Sequence, residues 1–214
     1  MTGPREQAEQ RTAEVPVVTT GNGQRLPTRP PTRSSPGAHL DDQVVEAAKR
    51  GDRHAWEAAY VAYGKGLMGF LVLRLGDRDD AAEALSETFL RALQKVRSLR
   101  GGADSFRAWL FSIARNVATD RLRARSRVRL QAESGEIVDL VLPGPDERAS
   151  AEEDAVEVRA ALASLPADDR EVVWLRVCAG LTSEQVGEIV GKRPGAVRMQ
   201  QLRALEAMAR KLTT

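Results

Sequence analysis

Cysteine is all but missing from this chain. Cys178 stands alone among 214 residues, so no intramolecular disulfide can form and a reducing compartment fits. Histidine is nearly as scarce: only His39 and His54 occur, too few for an imidazole-rich metal or acid–base centre. Aromatic residues make up 4% of the chain against a hydrophobic share of 42%, so a core can form but must be aliphatic and helical. No apolar run reaches the roughly 18 residues that a bilayer span needs, and the first residues lack an apolar signal segment. The sequence therefore predicts a soluble, cytoplasmic protein. It carries no phosphate loop, no nucleophile with a base beside it and no metal-ligand spacing, so no catalytic residue, metal or cofactor is expected. Neighbouring carboxylates such as Glu152-Glu153 and Asp168-Asp169 read as helix-start charges, and Cys178 as a small core residue.

The 32 basic and 30 acidic residues nearly cancel, but they are sorted along the chain. Arg91 to Arg129 holds eleven basic residues and only Asp104 and Asp120 as acids. From Gln131 to Glu157 nine acids face Arg148 alone, and from Lys192 to Lys211 six cations face Glu206 alone. Residues 1–39, rich in Pro, Thr, Arg, Gln and Gly, show no apolar periodicity and read as a disordered extension, either regulatory or expendable.

Order is expected from Asp41. That residue caps a short helix ending at Gly51, and Asp52 caps a longer one stopped by Gly76. A third helix runs from about Asp79 to Val96 with Ala82, Leu85, Phe89, Ala92, Leu93 and Val96 as its buried stripe. Ser105 is the expected cap of a fourth, from Phe106 to about Arg125. The fold class is all-α: a four-helix domain over 40–125, a flexible acidic linker over 126–155 around Pro143-Gly144-Pro145, and a second helical domain over 156–214 with a helix from Asp168 to Ala179.

Residues Thr182 to Met208 read as a helix-turn-helix. Thr182 caps the supporting helix, whose Val186 and Ile189 face inward; Gly191 allows the turn; Pro194 occupies the first position of the second helix, where its missing N–H is harmless. At 100° per residue Val197, Ala204, Leu205, Met208 and Leu212 share one sector. Arg198, Met199, Leu202 and Arg203 lie opposite, where arginine can bridge guanine N7 and O6 and an apolar side chain can touch a thymine methyl. Lys192 and Arg193 suit phosphates. The plain alternative is a helical hairpin with a solvated charged face.

In the fourth helix Phe106, Trp109, Leu110, Ile113 and Val117 make the apolar stripe, flanked by Ser112, Asn116, Thr119 and Arg123 in a polar row. Arg115, Arg121, Arg125, Arg127 and Arg129 add charge nearby. Cations that follow phosphates beside an amide that can bond a base edge suit an unpaired strand, although such a helix can also be only a solvated face. Asp120, at the edge of the apolar stripe, fits a pairing with a nearby arginine better than DNA contact.

The segments GDRHAWEAAYVAYGKGLMGFLVLRLGDRDDAAEALSETFLRAL, FRAWLFSIARNVATDRLRAR and LPADDREVVWLRVCAGLTSEQVGEIVGKRPGAVRMQQLRAL, in this order, resemble the extracytoplasmic-function sigma factors, the smallest group of the sigma-70 family. The likeness covers about 41–125 and 156–212. It implies a four-helix region 2 that opens and reads the −10 promoter element, and a region 4 that reads the −35 element. It further implies that Asn116, Asp120 and Arg123 belong to the −10 helix, with Ser112 and Thr119 beside them, and that Gly101, Gly102, Asp104 and Ser105 lie in the loop that captures a flipped base. Thr182, Lys192, Arg193, Arg198, Met199, Leu202 and Arg203 fall to the −35 site.

The same resemblance gives the outer face of the third helix (Asp80, Glu83, Glu87, Leu90 and Gln94) to the clamp coiled coil of the largest subunit of core RNA polymerase. An acidic stripe with an exposed Leu on a basic domain agrees with a protein interface. The implied partners are core RNA polymerase, promoter DNA and an anti-sigma factor. The chain departs from the family pattern at Glu83 and Ser86, where Asp and Gln are common, and at Met199 and Leu202, which bear on the −35 sequence read. In this setting the acidic linker (Glu133, Glu136, Asp139, Asp146, Glu147) would suit a basic cleft of the polymerase. A free-standing operator-binding dimer would leave the third-helix stripe and the basic fourth helix without a purpose. An enzyme with an appended helix-turn-helix lacks its chemistry here.

Overall fold

Short polar residues set the helix starts. The computed structural model describes residues 40–129 and 149–213, and among these every regular element is helical. Asp41 accepts the Val44 N–H at 2.8 Å and opens α1 (Asp42–Lys49). Asp52 accepts from His54 at 2.8 Å and opens α2 (Arg53–Leu75), which ends where Gly76 takes a left-handed φ of 76°. Asp77 caps α3 (Arg78–Lys95), which runs into a 3-10 turn at Val96–Ser98. Next come α4 (Ala103–Arg129), α5 (Ala149–Ala163) and α6 (Ala167–Val173), the last continuing as a π-helical turn over Trp174–Cys178. The helix-turn-helix is α7 (Ser183–Val190) and α8 (Pro194–Leu212). The extension 1–39 and most of the acidic linker, including Glu133, Glu136, Asp139, Asp146 and Glu147, lie outside the described residues.

Three boundaries differ from the sequence reading. Helix α4 starts at Ala103, not after a Ser105 cap, because the Asp42 carboxylate reaches across from α1 and accepts the Ala103 N–H at 2.7 Å. Asp104 and Ser105 therefore stand in its first turn rather than in a loop. At its far end α4 continues to Arg129. Helix α5 begins at Ala149, inside the expected linker, where Ala-Ser-Ala-Glu-Glu-Asp-Ala holds no Gly or Pro and places acids in the opening turns.

Helix α2 is the axis of the molecule. Phe70, Leu71, Val72 and Leu73 are buried one after another, more than a single apolar face supplies. One flank packs with α3 and α4, where Phe70 meets Phe111 edge-on with ring centroids 5.7 Å apart and Trp56 meets Phe106 at 5.9 Å. The opposite flank is covered by the second half of the chain: Leu73 joins Ala161, Leu162, Leu165, Val173, Ala204 and Met208 in one cluster. All described residues belong to one compact unit, so the expected pair of small helical bodies is docked together in this structure.

Some burial expectations change. The inner stripe of α3 is Ala81, Ala84, Leu85, Thr88 and Ala92, while Leu93 is 47% exposed. The seam of α8 narrows to Val197, Ala204 and Met208; Leu205 and Leu212 are exposed at the edge of the packed area. Cys178 is exposed rather than a core residue, because the π-helical turn points Leu175 and Ala179 inward and swings Val177 and Cys178 out. No described helix is long and apolar enough to cross a membrane.

Candidate nucleic-acid interfaces

The reading head is built by local chemistry. The Thr182 hydroxyl accepts the Gln185 backbone N–H at 3.2 Å while the Gln185 side-chain Oε1 accepts the Thr182 backbone N–H at 2.9 Å, a closed capping box. Gly191 ends α7 in the left-handed region with φ 73°, and Pro194 opens α8. The turn is tight: a Cβ on Gly187 would lie 2.5 Å from the Lys192 carbonyl oxygen, so only glycine fits. With Val186 and Val197 buried against each other's helices, α8 holds Arg198, Met199, Leu202 and Arg203 outward, all exposed. These four residues stand together on one face, as the helical phase requires.

Their neighbours are less available. The Lys192 ammonium donates to Gln200 at 2.9 Å and pairs with Asp168 at 3.3 Å, so a phosphate would have to displace those partners. Arg193, at the N-cap position of α8, is exposed. Arg198 pairs with Glu184 at 3.4 Å across open water. The Glu184 carboxyl sits below its ordinary range because the backbone N–H and the Thr182 hydroxyl bond it, with Arg198 adding to the effect.

On α4 the polar row is only partly open. Asn116 and Arg123 are exposed. Ser112 is half-buried and donates to the Trp109 carbonyl at 2.7 Å. Thr119 donates to the Arg115 carbonyl at 2.8 Å and accepts from Arg74 at 3.1 Å. Asp120 pairs with Arg91 of α3 at 3.1 Å, the structural pairing that its phase suggested. Ahead of the helix, Gly101 has φ 95°, and a Cβ on Gly102 would overlap the Asp42 carboxylate that holds the start of α4. Asp104 is exposed and pairs with Arg107 at 3.5 Å; Ser105 is exposed beside it.

The arginines around this row do not all face outward, which corrects the simple picture of a basic surface. Arg121 spans Asp80 at 2.6 Å, Glu83 at 3.1 Å and Glu87 at 3.2 Å. Burial opposes its charge, but bonds from Asp80, Glu83 and Glu87 outweigh that and hold the guanidinium more basic than usual. Arg125 pairs with Asp80 and donates to the Leu75 carbonyl at 3.1 Å. The acidic stripe of α3 therefore staples α3 to α4.

Beside those pairs α3 also exposes an apolar patch. Leu90 is 60% exposed, Gln94 and Leu93 are exposed, and Tyr60 of α2 meets Phe89 in a tilted ring contact at 5.2 Å with Val61 exposed beside it. Tyr60, Val61 and Leu93 were absent from the sequence-derived face because helical phase counted Leu93 as core and Tyr60 and Val61 belong to the neighbouring α2. Trp174 and Glu171 were missed as well. Three glycines within α2 (Gly64, Gly66, Gly69) were the available signal, since glycine in a helix interior is costly unless something must come close.

Family models for Sigma-70 region 2 and Sigma-70, region 4 match residues 59–128 and 155–208. The chain is 31% identical over 186 residues to the ECF RNA polymerase sigma factor BldN of Streptomyces coelicolor, covering 86% of this chain and 70% of the relative. It is 30% identical over 182 residues to the ECF RNA polymerase sigma-E factor of Haemophilus influenzae, covering 80% and 95%. Among solved structures, the sigma factor RpoE from Bartonella quintana, in complex with the anti-sigma factor NepR, aligns with a TM-score of 0.63 at 23% identity over 74% of this chain and 96% of that one. CnrH, in complex with the cytosolic domain of CnrY, aligns with a TM-score of 0.57 at 21% identity over 81% and 97%. These two likenesses speak to the fold. Both regions in order on one chain, with relatives of this identity along most of their own length, make this protein a member of the sigma-70 family, in its extracytoplasmic-function group.

Proposed function

We propose that the protein is a dissociable initiation subunit of RNA polymerase. Arg198, Met199, Leu202 and Arg203 read the −35 element in the major groove, and Lys192, Arg193 and Thr182 at the head of the motif meet phosphates. Asn116 and Arg123, with Ser112, Thr119 and Asp120 around them, follow the melted −10 strand, and Gly101, Gly102, Asp104 and Ser105 flank the base that leaves the stack. Leu90 and Gln94, extended by Leu93, Tyr60 and Val61, dock on the clamp coiled coil of core polymerase. Asp80, Glu83 and Glu87 hold the α3–α4 pair in shape for that contact. The subunit performs no covalent step itself; it acts in the cytoplasm by binding, and an anti-sigma factor that covers both regions is the expected regulator.

The observation that carries this reading is the joint exposure, on one chain, of the α8 reading face, the Asn116–Arg123 row and a separate apolar patch on α2 and α3. A plain DNA-binding regulator needs only the first. The test is transcription with purified components. Added to sigma-free core polymerase and a genomic fragment library, the protein should direct initiation at a limited set of starts that share two upstream elements. Random or absent starts overturn the proposal.

A further inference from the structure

The polar row of α4 has one more member than its candidate strand contacts. Ser112, Asn116, Thr119 and Arg123 follow one another at intervals of four, three and four residues, and the next interval of three lands on Ser126. Ser126 is exposed and stands three residues before Arg129, where α4 ends. The last carbonyls of a helix have no partner within it, so this turn opens more readily than the packed middle of α4.

The charges around Ser126 are divided between engaged and free. Arg121 is held by Asp80, Glu83 and Glu87, and Arg125 by Asp80 and the Leu75 carbonyl. Arg123 and Arg127 are exposed, and no ion pair engages either among the described residues. Ser126 thus follows arginine at its first, third and fifth preceding places and comes just before another. Charge patterns of this kind are what an enzyme with an acidic substrate groove selects. Arginine is also the side chain best suited to hold a phosphate once it is there, through two parallel N–H bonds. Arg123 lies one turn back on the same row, about 4.5 Å along the helix axis.

We infer that Ser126 is a phosphorylation site for an arginine-directed serine/threonine kinase, and that its phosphate blocks the passage of a melted strand along α4. The serine oxygen attacks the γ-phosphorus of a nucleoside triphosphate and the bond to the bridging oxygen breaks. The nucleoside diphosphate leaves, and the hydroxyl proton passes to a carboxylate of the kinase. The product carries a charge of about −1.5 to −2. It draws Arg123 onto itself and repels strand phosphates at the end of the row. The block rests on the −10 reading given above; the acceptor site does not.

The test has two arms, both on the full chain. In the first, the purified catalytic subunit of an arginine-directed serine/threonine kinase acts with ATP and Mg2+, and peptide mapping locates the phosphate. Ser126 should take it, and Ser126→Ala should remove that signal. Thr28 and Thr32 also follow arginine at the third preceding place, so phosphate there with none at Ser126 overturns the site. Absence of any transfer does the same.

In the second arm, protein with phosphoserine placed at 126 during translation is assembled with sigma-free core polymerase. Binding of a fluorescein-labelled random-sequence single-stranded DNA pool is then followed over a range of salt. The phosphorylated holoenzyme should bind roughly tenfold more weakly than the unmodified one at low salt, with a salt slope shallower by about 0.7 for each strand phosphate let go. Equal binding, or failure to assemble with core, overturns the block. If the unmodified holoenzyme binds the pool no better than core alone, or loses nothing on Asn116→Ala with Arg123→Ala, the −10 reading fails while the acceptor site stands.

Discussion

Gly187 and Gly195, eight residues apart in the helix-turn-helix, give opposite expectations, and Gly187→Ala is the sharper. A methyl at Gly187 would sit 2.5 Å from the Lys192 carbonyl oxygen, backbone that no rotamer change can move aside. The same turn is closed by the Lys192 N–H donating to the Gly187 carbonyl at 2.9 Å, so relief means parting α7 from the start of α8. Overpacking of this kind costs about 1–3 kcal/mol, and the gain in helix propensity returns at most about 1 kcal/mol. The net loss is roughly 1–2 kcal/mol, and for a cooperative unit of this size each kcal/mol moves Tm by about 2–4 °C. Gly195, at the second position of α8, has nothing within 4 Å of a built Cβ, so Gly195→Ala should be neutral or raise Tm slightly. Calorimetric melts of the two variants beside the parent provide the assay, with duplex −35 binding as a second readout. Gly187→Ala should melt lower and bind the duplex more weakly, since α8 enters the groove from a displaced start. A Gly187→Ala protein that melts at or above the parent temperature refutes the close-packed turn as the reason for glycine there.

Other expectations follow from named contacts. Replacing Arg198 or Arg203 with Ala should cost about 1–3 kcal/mol of discrimination at one −35 position, read by competition between matched and substituted duplexes; uniform weakening across all duplexes would reassign that residue to phosphate. Leu90→Asp together with Leu93→Asp should abolish co-purification with core polymerase while leaving stability within about 1 kcal/mol of the parent, because both side chains are exposed; retained binding would remove the α3 patch from the interface. Arg121→Ala strips Asp80, Glu83 and Glu87 of their shared cation and should lower stability by about 1–2 kcal/mol after allowing for solvent screening of the more exposed pairs. Urea melts check this, and an unchanged midpoint would mean that the carboxylates are repaid by water.

Much of this molecule could be read from short polar signals. Asp41, Asp52, Thr182, Gly76, Gly191 and Pro194 all take the roles that local backbone chemistry assigns them, since a cap depends on its own few neighbours and nothing else. The reading face of α8 was legible for a similar reason: opposite sides of one helix follow from phase. Phase misled where a partner was invisible. Leu93 fits the apolar repeat of α3, yet α3 packs inward through Ala84, Thr88 and Ala92 and leaves Leu93 in water. Cys178 lies on the inner side of an ideal helix but on the outer side after a π-helical turn. Charge counting failed similarly, because Arg121 and Arg125 are summed as surface cations when their carboxylates on α3 lie some forty residues away in sequence. The docking of the two halves was the least legible feature, since the α2 glycines hint at a close approach but nothing local marks Trp174 as the partner of Gly69 or Glu171 as that of Arg74 and Arg115.

The double-sided burial of α2 sets a condition on how the protein is made. The amino-terminal half leaves the ribosome first, with Leu73 and the furrow at Gly66 and Gly69 still bare, because the residues that cover them come from α5, α6 and α8. Until that later stretch emerges, the nascent chain offers water a greasy strip along its central rod. A ribosome paused between α4 and α5 would therefore present a sticky, half-dressed bundle, a natural client for chaperones.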